Sequence, residues 1–142
     1  AEFNYGLLMP FIEGMISAAD EGTILVDAFE GSYTYRDELQ FLQAYKLIKG
    51  STRDNYARNP ELYGQFFQAG FGLWLDHNYC GEPGLQPTGC PSGFTPETFR
   101  QAINNALNYS DRYVWIYSQG LNWYTGEGIP TEWKDSLYSF GQ

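Results

Sequence analysis

The chain is poor in positive charge. Eight Lys and Arg stand against 17 Asp and Glu, a formal net charge of −9 over 142 residues. No Lys/Arg cluster interrupts that balance, so the surface repels phosphate backbones and excludes nucleic acid as an expected partner. An anionic membrane surface is disfavoured for the same reason. Histidine is scarcer still, with His77 the single example. One His and no Gly-x-Ser-x-Gly elbow leave no basis for a Ser/His/Asp hydrolase. Two Cys and one His fall short of the roughly four ligands of a zinc site, so no metal is expected. No Gly-x-Gly-x-x-Gly or Walker loop opens a helix, and no cofactor is expected. No apolar run approaches the roughly 18 residues of a membrane span. Neither a signal peptide nor an initiator Met is visible. Ala1-Glu2-Phe3 reads as a possible cloning scar after a secretion leader, which leaves residues 4–142 as one domain.

What the chain has in quantity is aromatic residues: 4 Trp, 12 Tyr and 10 Phe, or 18% of the sequence. Tyr and Trp combine a flat apolar face with a polar tip, which suits cores and also surfaces that meet sugars. Cys80 and Cys90 bracket a Pro/Gly-rich segment and read as a disulfide. So short a closure contributes about 2–3 kcal/mol in the chain-entropy description and implies an oxidising, extracellular or periplasmic setting. Asn108-Tyr109-Ser110 is an N-glycosylation acceptor pattern, relevant only after eukaryotic secretion.

Hydrophobic periodicity predicts helices and strands in alternation. Leu8, Phe11, Ile12, Met15, Ile16 and Ala19 follow the spacing of one buried helix face over about 7–19. Residues 23–30 form an apolar, β-branched run expected of a strand buried on both faces. A second helix begins near Asp37, with Gln40 completing a capping box, Phe41, Leu42, Tyr45 and Ile48 on its apolar face and Gly50 placed to end it. Residues 51–68 read as a loop and then a short helix from Asn59-Pro60. A second strand spans about 69–76, where Gly70 and Gly72 leave room for a close neighbour. Thr95-Pro96-Glu97 starts a helix that buries Phe99, Ala102, Ile103, Ala106 and Leu107. A third strand covers 112–118, and a last helix from Thr131 aligns Trp133, Leu137 and Phe140. The fold class is therefore α/β, with parallel strands alternating with helices in three strand–helix units. Three strands cannot close a barrel and leave two apolar edges unpaired. The units are either part of an incomplete TIM-type barrel, which needs about 250 residues, or a sheet completed by another copy or chain.

In such folds chemistry sits at the carboxyl ends of the strands. The first strand ends with Asp27, Glu30, Ser32 and Tyr33; the second with Asp76, His77 and Asn78; the third with Gln119, Asn122, Trp123 and Tyr124. Carboxylates and amides hydrogen-bond hydroxyls, while Trp and Tyr stack on the C–H face of a sugar. Glycoside hydrolysis uses two carboxyl groups, and Glu30 and Asp76 are the candidate pair. Asp27, Tyr33, His77, Asn78, Gln119, Asn122, Trp123 and Tyr124 are candidate substrate contacts. Each has a structural alternative. A carboxylate after a strand often caps a turn, Asp27 lies within its strand and reads as readily as a buried partner, and Trp123 and Tyr124 would serve as core cover for the last helix. Trp74 and Trp115 are mid-strand and read as core. If Glu30 points toward the site, alternation turns Asp27 the other way.

The runs Leu-Met-Pro-Phe-Ile-Glu-Gly-Met (8–15), Val-Asp-Ala-Phe-Glu-Gly-Ser-Tyr (26–33), Gly-Phe-Gly-Leu-Trp-Leu-Asp (70–76) and Ser-Asp-Arg-Tyr-Val-Trp-Ile-Tyr-Ser (110–118), with Asn122-Trp123, resemble the C-terminal portion of secreted bacterial α/β-barrel proteins of the glycoside-hydrolase type. The resemblance implies a carbohydrate ligand and an N-terminal barrel portion that carries the first strands. It also implies an acidic residue just after the third strand, where this chain has Gln119, a side chain that binds a hydroxyl and exchanges no proton. A non-catalytic glycan-binding module, or a homo-oligomer that completes its own sheet, is the alternative reading.

Overall fold

The computed structural model describes residues 7–77 and 93–138, with 136–138 described by backbone alone. Helix α1 (Leu8–Ala18) leads into strand β1 (Leu25–Phe29), whose end coils into a 3₁₀ turn (Glu30–Thr34). Then follow α2 (Glu38–Lys46), α3 (Arg53–Tyr56), α4 (Pro60–Phe66), β2 (Phe67–Trp74), α5 (Pro96–Tyr109), β3 (Tyr113–Tyr117) and α6 (Thr131–Tyr138). The strands form one parallel sheet in the order β1-β2-β3. The α/β class and the parallel three-stranded sheet expected from the sequence are thus present.

Alternation along β2 divides the sheet into two unlike faces. Ala69, Phe71 and Leu73, continued by Leu75, point to one side and are buried against Phe41, Ala44 and Ile48 of α2 and its extension, Phe99, Ala102, Ile103 and Ala106 of α5, and Trp133 of α6. Each fully buried Phe or Leu contributes about 1.5–3 kcal/mol. Phe67 lies on the same side, in a smaller cluster with Ile16 and Tyr63 that joins α1 and α4 to the sheet. The opposite face carries Gly70, Gly72 and Trp74 of β2, in register with Tyr113, Trp115 and Tyr117 of β3. It belongs to neither cluster, and none of the described helices packs on it. The expectation of a strand buried on both faces does not hold for β1, where Ala28 is exposed on this open face.

Helix starts follow local chemistry. Thr95 Oγ1 accepts the Thr98 N–H at 3.2 Å ahead of Pro96, and Asn59 Oδ1 accepts the Leu62 N–H at 3.0 Å ahead of Pro60. Before α2, the Gln40 side chain accepts the Asp37 N–H at 3.0 Å and the Arg36 N–H at 2.9 Å. Gly50 does not end that helix. The chain runs on through a π-helical turn (Leu47–Thr52) into α3, because Ile48 is buried in the main core and holds the wider turn in place. The expected buried face of α1 is also corrected. Ile16 is buried, but Leu8, Phe11 and Met15 are 49%, 66% and 40% exposed. The inward stripe is Met9, Ile12 and Ile16, and Leu8, Phe11 and Met15 form a second stripe around the helix. Leu107 of α5 is likewise exposed rather than core. The side chains of Leu137 and Phe140, the presumed Cys80–Cys90 disulfide and Asn78 lie outside the described residues.

Polar groups fasten the sheet at both ends. At the amino end the Asp111 carboxylate accepts the Ala69 N–H at 2.8 Å, meets Lys49 Nζ at 3.0 Å and takes the Tyr45 hydroxyl at 3.2 Å. Burial pushes its pKa up, but these three partners together outweigh burial and hold the carboxyl below its ordinary range. At the carboxyl end the buried Ser32 hydroxyl accepts the Gly72 N–H at 3.0 Å, and its own proton lies between Phe29 O (2.7 Å) and Gly72 O (2.8 Å). Ser32 thereby extends the β1–β2 ladder one step past the end of β1.

The two β2 glycines are required by what crosses them. A Cβ on Gly72 would stand 2.5 Å from Trp115 Nε1 and 2.7 Å from Tyr33 Cε1, and one on Gly70 would stand 2.6 Å from Val26 Cγ1. Gly72→Ala should therefore lower the unfolding free energy by about 1–3 kcal/mol and change the near-ultraviolet circular dichroism of the displaced indole. Wild-type stability with an unchanged aromatic spectrum would contradict this packing.

Candidate functional site at the carboxyl ends of the strands

The site is built around Asp76, which is 1% exposed although it follows the last residues of β2. Its carboxylate accepts the Trp74 indole N–H at 2.8 Å, the Gln119 N–H at 3.0 Å to both oxygens and the Gly120 N–H at 2.6 Å. The first bond orients Trp74 and the others hold the loop after β3 against the end of β2. Charge-assisted bonds of this kind are about twice as strong as neutral ones. Both carboxylate oxygens are thus occupied by donors from the protein.

Trp74 anchors an aromatic cluster. Its ring stacks on His77 with centroids 4.3 Å apart and meets Tyr117 and Tyr33 edge-on at 5.3 and 6.1 Å. Tyr33 and Tyr117 stack at 5.8 Å. Beside the cluster opens a cleft of about 340 Å³ lined by Glu30, Gly31, Tyr33, Thr34, Trp74 and His77. Glu30 is exposed there on the 3₁₀ turn and has no hydrogen-bond or ion-pair partner among the described residues. His77 is held below its ordinary pKa by burial, which the nearby Asp76 charge offsets only in part, so its ring is neutral at neutral pH.

Of the residues expected at the rim, the cleft brings together Glu30, Tyr33 and His77. Asp76 orients Trp74 and holds Gln119 by its backbone N–H, and neither Asp76 nor Gln119 is among the described residues that line the cleft. Asp27 is not brought to the rim. It faces the helices from within β1, as strand alternation requires once Val26 and Ala28 take the open face. Burial raises its pKa, and with burial its charge helps push the Tyr63 phenol up to about 12. Asn122 spends its side-chain oxygen on the Tyr124 and Thr125 N–H groups (3.0 and 3.2 Å), shaping the turn. Trp123, fixed by its indole N–H to Ser118 Oγ at 2.7 Å, and Tyr124 are exposed on this loop rather than packed under α6, and they do not line the cleft. Asn108 lies in the last turn of α5 and is exposed.

Trp74 and Trp115, both expected as core, lie instead on the open face outside the two core clusters, and Trp74 lines the cleft. The signal was present: Gly70, Gly72 and Trp74 share one face while Ala69, Phe71 and Leu73 share the other, and a glycine face is not a core face. Among the described residues no group of three or more His, Cys, Asp or Glu is arranged to hold a metal ion, and no helix is long and apolar enough to cross a membrane.

The chain matches no family model, and no curated protein or solved structure shows significant similarity to it. The chemistry of the cleft therefore rests on its own residues. An aromatic wall can stack on an apolar ring face, and a carboxylate with no partner among the described residues can accept hydrogen bonds from hydroxyl or ammonium groups.

Removing the Asp76 carboxylate leaves the Trp74, Gln119 and Gly120 donors without their acceptor. Asp76→Ala should cost about 3–5 kcal/mol in unfolding free energy, read by urea denaturation, and should free the β3 loop to proteolysis. A variant as stable and as protease-resistant as wild type would contradict the role given to Asp76.

Proposed function

We propose that this chain is the carbohydrate-contacting portion of a secreted α/β-barrel protein of the glycoside-hydrolase type, with its ligand in the cleft between Glu30 and Trp74. The observation that carries the reading is a fixed aromatic wall beside a carboxylate with no partner among the described residues, at the carboxyl ends of parallel strands, the end at which α/β folds place their ligands. Trp74 and Tyr33 line the cleft as aromatic surface for a pyranose, and Glu30 is the carboxylate for its hydroxyls.

For hydrolysis the reading assigns Glu30 as the proton-exchanging or nucleophilic carboxyl group. The second carboxyl group is harder to supply from this chain. Asp76, its candidate partner in the sequence, has both oxygens committed to Trp74, Gln119 and Gly120. In the barrel reading, the strands that continue the sheet would contribute the second group. Support for continuation comes from the sheet itself: among the described residues β1 and β3 have free outer edges, and no α-helix packs on one face. Parallel sheets are almost always covered on both faces. The exposed Leu8, Phe11 and Met15 of α1 add a second apolar surface that a further segment or chain would cover. A glycan-binding module without catalysis is the second reading, favoured by the committed state of Asp76 and by Gln119.

Isothermal titration of this chain with a panel of oligosaccharides tests the shared part of both readings. At least one should bind, and Trp74→Ala should weaken it about tenfold. In a longer polypeptide that carries the rest of the sheet, Glu30→Gln should abolish turnover and retain binding. No oligosaccharide binding, or binding indifferent to Trp74, would contradict the proposal.

A further inference from the structure

The cleft has a charge character that narrows its ligand, on the reading that it is a glycan site. Its six lining residues include one anionic group, Glu30, and no Lys or Arg. The cation nearest in sequence, Arg36, is turned away: its Nη2 donates to the Gly93 carbonyl at 2.8 Å and its guanidinium lies 5.1 Å from the centroid of the Phe94 ring. Lys49, Arg53 and Arg58 are paired with Asp111, Asp54 and Glu13 on other parts of the molecule. His77 contributes a neutral ring. An anionic sugar would set its carboxylate or sulfate against Glu30 with no counter-charge in the cleft, in a chain whose net charge is already −9.

A protonated amine reverses each of these terms. It gives Glu30 a counter-charge that none of the described residues supplies and is drawn in by the field of the whole chain. It also sits favourably against the electron-rich faces of Tyr33 and Trp74, which prefer cations. The Trp74 indole is held in place for this by its bond to Asp76, so the wall is formed before the ligand arrives. We infer that the cleft selects a cationic amino sugar, whose ammonium pairs with Glu30 while its ring lies against Trp74 and Tyr33.

The test compares four probes on the intact chain at pH 6 and low salt. They are a tetramer of glucosamine, the N-acetylated tetramer of the same backbone, a tetragalacturonate and spermidine. The glucosamine tetramer should bind at least tenfold more tightly than the acetylated one, and the uronate should not bind. In Glu30→Gln, an exposed substitution that leaves the core untouched, the tenfold preference for the glucosamine tetramer should vanish, and a preference retained in this variant would overturn the pairing with Glu30. Equal affinities for the two tetramers, or preference for the uronate, would overturn the amino-sugar selectivity and leave the glycan site standing. Failure of every carbohydrate would overturn the glycan reading itself. Spermidine binding as tightly as the glucosamine tetramer would make this an amine site without sugar recognition and would also overturn the inference.

Discussion

The Asp76 carboxylate ties the end of the β2–β3 pair to the Trp74 indole and to the loop after β3. It ends β2, takes the indole proton of Trp74 and collects the first two backbone N–H groups after Ser118. Without it, the loop after β3 would leave two N–H groups unmatched at the sheet end, and Trp74 would be free to rotate. Burying a carboxylate is costly unless every oxygen is matched, and here both are. The aromatic wall of the cleft and the position of Gln119 are both consequences of this one group. The same hydrogen bonds give Asp76, a catalytic candidate in the sequence, a structural role at the strand ends.

A second constraint comes from the middle strand. Large apolar side chains on one side of β2 draw α2, α5 and α6 onto it, while Gly70 and Gly72 on the other let Trp115 lie close against the backbone. The result is a sheet with a finished face and an open one. The open face carries Tyr113, Trp115 and Tyr117 in a row. It also carries the side chain of Gln68, whose buried oxygen has no hydrogen-bond donor among the described residues. Such a face is what a barrel would enclose, and it is consistent with strands supplied from elsewhere. At the opposite end of the sheet, Asp111 plays a role parallel to that of Asp76 by tying β2 to Lys49 and Tyr45.

Much of this architecture was legible in the sequence where the governing chemistry is local. Asn59-Pro60 and Thr95-Pro96 start helices because the cap and the proline act within a few residues, and the three strands follow from apolar runs bounded by breakers. Helix orientation was less legible. In α1 two apolar stripes, Met9/Ile12/Ile16 and Leu8/Phe11/Met15, satisfy the helical period equally well, and only the position of α4 and Phe67 decides between them. Gly50 misled because its cost within a helix is about 1 kcal/mol, less than the burial of neighbouring Ile48 returns. At the site, Glu30, Tyr33 and His77 were visible as strand-end residues. The commitment of Asp76 to Gln119 and Gly120 was not, since those partners lie more than 40 positions away.

The central claim is that ligand meets the protein at the Glu30–Trp74 cleft, and residue-resolved NMR tests it most directly. When the chain is titrated with an oligosaccharide that it binds, the Trp74 indole N–H and the amides of 30–34 should shift together. Those around Asp111, at the far end of the sheet, should stay in place. Shifts confined to the exposed Trp123 and Tyr124 loop, or spread over the outer stripe of α1, would place binding elsewhere and contradict the account.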